Sequence, residues 1–296
     1  MKNTVFTGAG VAIVTPMNAD GSINYKKLGE NIDFQIENGT DAIIICGTTG
    51  ESSTLTDEEH VECIRVAVEH TKKRVPVIAG TGSNDTRYAI SLSKEAEQLG
   101  VDALLLVTPY YNKTSQRGLV AHFTAIADSV NIPIILYNVP SRTGMNISLE
   151  TYVELSKHKN IVAAKEASGN LSAIAQIIAA CGDDLDVYSG NDDQIVPIMA
   201  LGGKGVISVL SNIMPSETHQ IAKFCLDNNV ADAAKLQLKL LEVANDLFID
   251  VNPIPVKEAM NLMGLDVGEC RLPLLKMEQK KIDILAGSMR KIGLIK

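Results

Sequence analysis

One amine interrupts the apolar run Ile161–Ala167: Lys165, followed by Glu166 and then by the turn residues Ser168, Gly169 and Asn170. A short apolar run that ends in turn residues reads as a buried strand. A lysine near the carboxyl end of such a strand has an apolar floor and an open mouth. An apolar surround disfavours an ammonium and favours the free amine, the form that attacks a carbonyl. The same side chain could instead snorkel to solvent or pair with Glu166. Other reactive residue types close short apolar runs in the same manner. Thr48 and Thr49 follow Asp41–Cys46, and Tyr110 and Tyr111 follow Ala103–Pro109. Tyr137 ends Pro133–Tyr137, with Arg142 shortly after, and Gly190 ends Asp186–Gly190. Each has a plain structural explanation: Tyr137 as packing, Arg142 as a loop cation, the threonines as a turn, the tyrosine pair as locally packed rings. Joint meaning depends on whether the fold gathers the strand ends.

The intervening elements answer that question. With Gly10–Pro16, Val75–Gly80 and Gly205–Leu210, the chain holds eight short apolar strands. Helical stretches separate them. One spans Tyr25–Glu37 and is stopped by Gly39; another opens at Thr56, a plausible N-cap with Asp57, Glu58 and Glu59 in its first turn. A third is capped by Ser83, Asn84 and Asp85 and runs to Leu99. Buried strands alternating with helices predict a parallel sheet covered by helices. Eight units over about 210 residues match the (β/α)8 TIM barrel, for which roughly 250 residues is typical. From about Val230 strand signals cease. Three helical patterns remain, Ala231–Phe248, Val256–Met263 and Pro273–Lys291, separated by Asn252–Pro255 and Gly264–Gly268. The expected organisation is a catalytic barrel over 1–229 and a C-terminal helical domain over 230–296. Active sites of such barrels form at the carboxyl ends of the strands, so the amine, phenols, hydroxyls and guanidinium would share one mouth.

Composition narrows the chemistry. The 296 residues are 46% hydrophobic and 21% charged, sufficient for a full core. A net charge of −8 argues against a nucleic-acid partner while leaving room for a local basic pocket. The five cysteines are scattered, with no C-x-x-C pair, and read as reduced thiols of a cytoplasmic protein. The histidines show no metal-ligand spacing, so no metal is expected. No apolar run approaches membrane-spanning length, and the N-terminus lacks a signal pattern.

With those turns assembled, the sequence resembles the dihydrodipicolinate synthase branch of the pyruvate-dependent, lysine Schiff-base aldolases. The resemblance covers essentially the whole chain. It rests on Gly47–Glu51 (GTTGE), Tyr137–Gly144 (YNVPSRTG), Lys165–Gly169 (KEASG) and, in the tail, Asn252–Lys257 (NPIPVK). A lone K-E-x-x-G would be weak evidence; these segments in this order are specific. The resemblance implies condensation of pyruvate with L-aspartate 4-semialdehyde in the diaminopimelate route to lysine. Lys165 would form an imine with the pyruvate ketone, and Thr48, Tyr111 and Tyr137 would relay protons. Thr49 and the turn's amides would hold the pyruvate carboxylate, with the backbone at Gly190 and Ile207 beside it; the missing side chain at Gly190 would let substrate approach. Arg142 would bind the semialdehyde carboxylate. No cofactor is implied beyond the covalent pyruvate imine. A homo-oligomer is implied, a tetramer built as a dimer of dimers, with Tyr111 reaching into a neighbouring subunit's site. Lysine-sensitive members of the family bind lysine near the segments matching Ser52–His60 and Asn84–Tyr88. Asp57 and Tyr88 stand where those members usually carry histidine and glutamate, so weak or absent lysine inhibition is expected.

Three other readings compete. An aldolase for sialic acid or a keto-deoxy sugar acid would share the lysine and tyrosine but not the arginine turn. A pyridoxal-phosphate barrel would also need a Schiff-base lysine, but Gly202–Gly205 (GGKG) precedes its strand and so lies on the wrong face for a phosphate loop. A non-catalytic ligand-binding barrel would tolerate substitutions at the catalytic positions, and none is found.

Overall fold

The computed structural model describes residues 2–296. Eight parallel strands close into a barrel in sequence order: β1 Gly8–Ala12, β2 Ala42–Ile45, β3 Val77–Gly80, β4 Ala103–Val107, β5 Ile134–Asn138, β6 Ile161–Glu166, β7 Asp186–Ser189 and β8 Gly205–Ser208. β8 pairs with β1 through Gly8↔Gly205 to Val11↔Ser208, leaving no free edge. The predicted (β/α)8 fold is the observed one. The first strand lies two residues earlier than Gly10–Pro16 suggested; Ile13–Pro16 continue the buried run but have left the ladder. Apolarity marks burial, and burial persists past the last paired residue.

Side-chain parity divides each strand between two cores. Ile44, Ile78, Leu105, Ile135, Ala163, Tyr188 and Ile207 fill the barrel interior. Ile43, Ile45, Leu104, Leu106, Leu136, Ala164 and Val187 face the surrounding helices. Because alternate residues point to opposite faces, Lys165 shares the inward face with Ala163 while Glu166 turns outward with Ala164. At the amino end Phe6 stacks on Tyr188 at 4.4 Å, and the Tyr188 hydroxyl donates to the Phe6 carbonyl at 2.7 Å.

The helix starts follow local chemistry. Thr56 and Glu59 form a reciprocal capping box on the helix Asp57–Thr71, and Asp85 caps Thr86–Leu99. In the tail, helices span Val230–Asp246, Ile254–Leu262 and Gln279–Lys291. The third is shorter than the pattern Pro273–Lys291 implied: residues 273–278 form turn and extended chain, and regular structure starts only after Glu278. Leu240, Val243, Val256, Leu285 and Met289 of the tail share one apolar cluster with Ala9 of β1 and Val206 of β8. The tail therefore packs into the barrel's β8–β1 side.

Candidate active site

Register puts the first two reactive groups together. Tyr137 of β5 and Lys165 of β6 are direct cross-strand partners near the carboxyl end. Both are buried, and the Lys165 ammonium nitrogen lies 4.2 Å from the Tyr137 ring centroid. Behind them Glu166 is held on the outer face. Its Oε1 accepts from Asn138 Nδ2 at 2.9 Å and from the Tyr152 hydroxyl, and its Oε2 accepts from Ser168 Oγ at 2.7 Å. Burial, reinforced by the adjacent Glu166, pushes the Tyr152 phenol well above its usual pKa, so it stays a donor to that carboxylate. The pairing of Lys165 with Glu166 is thereby ruled out by strand parity.

Lys165 and Tyr137 open on a cavity of about 430 Å³ at the strands' carboxyl ends. Thr48, Thr49, Arg142 and Gly190 line it too, so six of the eight residues singled out from the sequence meet here. The turn Gly47–Glu51 brings its threonines in. Gly50 and Glu51 donate their amides to Gly47 and Thr48 carbonyls at 3.1 Å, while Glu51 adopts a left-handed φ of 55°. The amides of Thr48 and Thr49 donate to no other group among the described residues. Arg142 stands on the helical turn Pro140–Thr143 and donates from Nη2 to the Asn252 carbonyl at 3.1 Å.

Two residues are not brought in. Tyr111 is 92% exposed, holds a left-handed φ of 69°, and lies outside the cavity of its own chain. Among the described residues no hydrogen bond joins it to Thr48 or Tyr137. The Ile207 side chain is buried in the barrel interior and does not line the cavity, which Val209 of the same strand exit does; its backbone, the part expected beside pyruvate, is not contradicted by that placement. Gly190, which lines the cavity as expected, carries a second constraint. A Cβ there would lie 2.7 Å from the Ala167 Cβ and 3.0 Å from the Glu166 carbonyl oxygen. Glycine is thus required for the close approach of the β7 exit to β6, where the Gly190 amide donates to Glu166 at 2.7 Å.

The largest omission from the sequence reading is the tail's share of the site. Phe248, Asp250, Val251 and Asn252 form one wall of the cavity. The Asn252 amide nitrogen donates to Thr49 Oγ1 at 3.0 Å. Lys257 fastens this wall to the GTTGE turn. Its ammonium meets Glu51 Oε1 at 2.8 Å and the carbonyls of Thr15 and Glu269 at 3.1 and 2.8 Å, while Glu51 Oε2 accepts the Arg271 amide at 2.9 Å. Both ends of this buried pair are hydrogen-bonded throughout, as such a pair requires. The signal available in sequence was the pairing of a polar N-P-I-P segment with a lysine two residues later. Asp192 was also missed. Its buried Oδ2 accepts the Val209 and Leu210 amides at 3.1 and 2.9 Å, fixing the β8 exit, and burial raises its pKa against the opposing charge of Lys165.

A second cavity of about 270 Å³ adjoins the first, sharing Thr48, Val139 and Arg142. Ser52, Ser53, His60, Tyr88 and Tyr110 line it. The Tyr88 hydroxyl donates to Asp57 Oδ1 at 2.7 Å, and burial with that carboxylate raises the phenol's pKa. Burial lowers the pKa of His60, which sits 2.8 Å from the Gly80 carbonyl through Nε2.

A profile described as the dihydrodipicolinate synthetase family matches residues 5–291. The 4-hydroxy-tetrahydrodipicolinate synthase of Lachnoclostridium phytofermentans is 62% identical over 292 residues, covering 98% of this chain and 99% of its own. Among solved structures, the chloride-inhibited dihydrodipicolinate synthase of Acinetobacter baumannii complexed with pyruvate superposes with a TM-score of 0.97 at 43% identity, over 99% of this chain and 100% of its own. The lysine-bound enzyme of Cyanidioschyzon merolae superposes with a TM-score of 0.96 at 40% identity, over 99% and 100% of the two chains.

Proposed function

The chain belongs to the dihydrodipicolinate synthetase family, and from that premise we infer that it is a 4-hydroxy-tetrahydrodipicolinate synthase, a lyase joining pyruvate to L-aspartate 4-semialdehyde. One observation carries the assignment of roles: an inward amine, Lys165, held against the Tyr137 ring at 4.2 Å and sharing one cavity with Thr48, Thr49 and Arg142.

The free amine of Lys165 adds to the pyruvate ketone, and loss of water leaves an iminium. That cation is an electron sink, so a methyl proton departs and an enamine forms. The enamine carbon attacks the semialdehyde carbonyl, forming the new carbon–carbon bond. The semialdehyde's own amine then closes the ring at the imine carbon and releases Lys165. Each step moves a proton, and the hydroxyl of Tyr137, whose ring lies 4.2 Å from the Lys165 nitrogen, is the shuttle. Thr48 and a Tyr111 from a neighbouring subunit extend it into a chain, since a phenol alone is a weak acid in water.

The Thr48 and Thr49 amides, with the Thr49 hydroxyl, take the pyruvate carboxylate; fixed donors need no reorganisation as charge moves. Arg142 takes the semialdehyde carboxylate through its planar fork. The reaction uses no cofactor beyond the imine. The working assembly is a homotetramer, a dimer of dimers, in which Tyr111 completes the partner's site. No described helix is long and apolar enough to cross a membrane, in keeping with a cytoplasmic enzyme.

A coupled assay tests the assignment: turnover of pyruvate with aspartate semialdehyde, and none of N-acetylneuraminate or keto-deoxy sugar acids, is expected. Preferential cleavage of a sugar acid would move the chain to the neighbouring aldolases.

A further inference from the structure

Asn252 touches both carboxylate-binding groups. Its side chain is 5% exposed, its Nδ2 donates to Thr49 Oγ1 at 3.0 Å, and its main-chain carbonyl accepts Arg142 Nη2 at 3.1 Å. Its Oδ1 is buried with no partner. Inverting the amide would place the two N–H bonds of the nitrogen in that unpartnered position, which is costlier than an under-satisfied carbonyl oxygen. The orientation with nitrogen toward Thr49 is therefore the favoured one.

A threonine hydroxyl has one proton to donate and two lone pairs. With Asn252 donating to Oγ1, the Thr49 proton cannot point at Asn252. The Thr49 side chain makes no other hydrogen bond among the described residues, and the residue lines the catalytic cavity. We propose that Asn252 is a positioning residue that turns the Thr49 hydroxyl proton into the cavity toward the pyruvate carboxylate, while its carbonyl separately sets the Arg142 guanidinium. One residue of the C-terminal tail thus aligns the anchor for each substrate, the first through its side chain and the second through its backbone.

This division is testable because substitution removes only the side chain. The proposal rests on the synthase reading, so wild-type turnover is measured alongside; failure there would strike the reading itself. Asn252→Ala should raise the pyruvate KM about three- to tenfold, the range of one neutral hydrogen bond. The semialdehyde KM should stay within about twofold, since the backbone contact to Arg142 remains. Asn252→Asp, nearly isosteric, presents an acceptor where Asn252 presents a donor. It should capture the Thr49 proton and raise the pyruvate KM further than alanine does. In a Thr49→Val background, Asn252→Ala should add no further rise in pyruvate KM, because the group it orients is gone. Undiminished pyruvate binding by Asn252→Asp would overturn the proposal, as would full additivity with Thr49→Val or an equal rise in both KM values.

Discussion

The two sides of the barrel mouth are built differently. On the side of the C-terminal tail, the chain closes its own wall. Asn252 meets Thr49 and Arg142, and Lys257, Glu51 and the Arg271 amide lock that wall to the GTTGE turn. On the β4 side, Tyr111 projects into solvent in a left-handed conformation, its ring largely uncovered by its own chain. A non-glycine residue held at positive φ costs on the order of 1 kcal/mol or more. On the walled side, where Glu51 shows the same backbone feature, dense hydrogen bonding offsets the cost; at Tyr111 the turn is tied through its neighbours, by Asn84 Nδ2 to the Tyr110 carbonyl at 3.1 Å and Asn112 Nδ2 to the Asn84 carbonyl at 2.9 Å, while the ring itself stays exposed. The contrast teaches that one half of the mouth is walled by the chain's own tail while the other half is left open by it.

The sharpest test removes the group common to both halves. Lys165→Ala should abolish borohydride trapping of pyruvate, and Lys165→Arg should do the same because a guanidinium stays protonated. Adduct formation persisting in either variant, read by peptide mass, would assign the imine to another lysine.

Tyr111→Phe breaks only the open side. Losing one proton-relay hydroxyl should cost on the order of a hundredfold in kcat, with thermal stability little changed because the side chain is 92% exposed in its own chain. Mixing this variant with Lys165→Ala should regenerate intact sites in mixed dimers and restore up to about a quarter of wild-type activity. If subunits exchange and no activity returns, the site is not shared.

On the walled side the expected injury is to stability first. Lys257→Met strands the Glu51 carboxylate in the interior and should lower unfolding free energy by about 3–5 kcal/mol. Adding Glu51→Gln should recover part of that loss in urea titrations. Equal stabilities of the single and double variants would show that the pair contributes no coupling.

Arg142→Ala removes a charge-assisted contact worth about 1.5–3 kcal/mol. The semialdehyde KM should rise roughly ten- to a hundredfold, with imine formation retained. A matching rise in pyruvate KM would recast Arg142 as a clamp on the whole pocket.

The smallest effect belongs to the second cavity. One oxygen of Asp57 is engaged by the Tyr88 hydroxyl, and Tyr88 stands where lysine-sensitive members carry a carboxylate, so the pocket offers a cationic amino acid fewer anionic partners. Sub-millimolar lysine should leave the coupled assay essentially unchanged. Strong inhibition there would mean that Ser52, His60 and Tyr110 suffice for effector binding.

The barrel itself was legible because its signals are local: eight apolar runs of strand length, turn residues after each, and caps such as Thr56 and Asp85 that act within four residues. The reactive residues at the strand ends were legible for the same reason, since closing a parallel barrel gathers all its carboxyl ends at one mouth. Even the direction of Lys165 relative to Glu166 follows from the twofold alternation of a strand once the strand is known. Three features were decided only by tertiary structure. Asn252 reaches Thr49 across 203 residues, and no short-range pattern encodes such a contact. Gly190 is needed by a neighbouring strand's Ala167, a constraint visible only when β6 and β7 are laid side by side. Tyr111 was read both as a strand-end group and, from the resemblance, as one reaching a neighbouring subunit; that it stands 92% exposed and outside its own chain's cavity, at a left-handed φ just beyond the strand, is visible only in the folded chain.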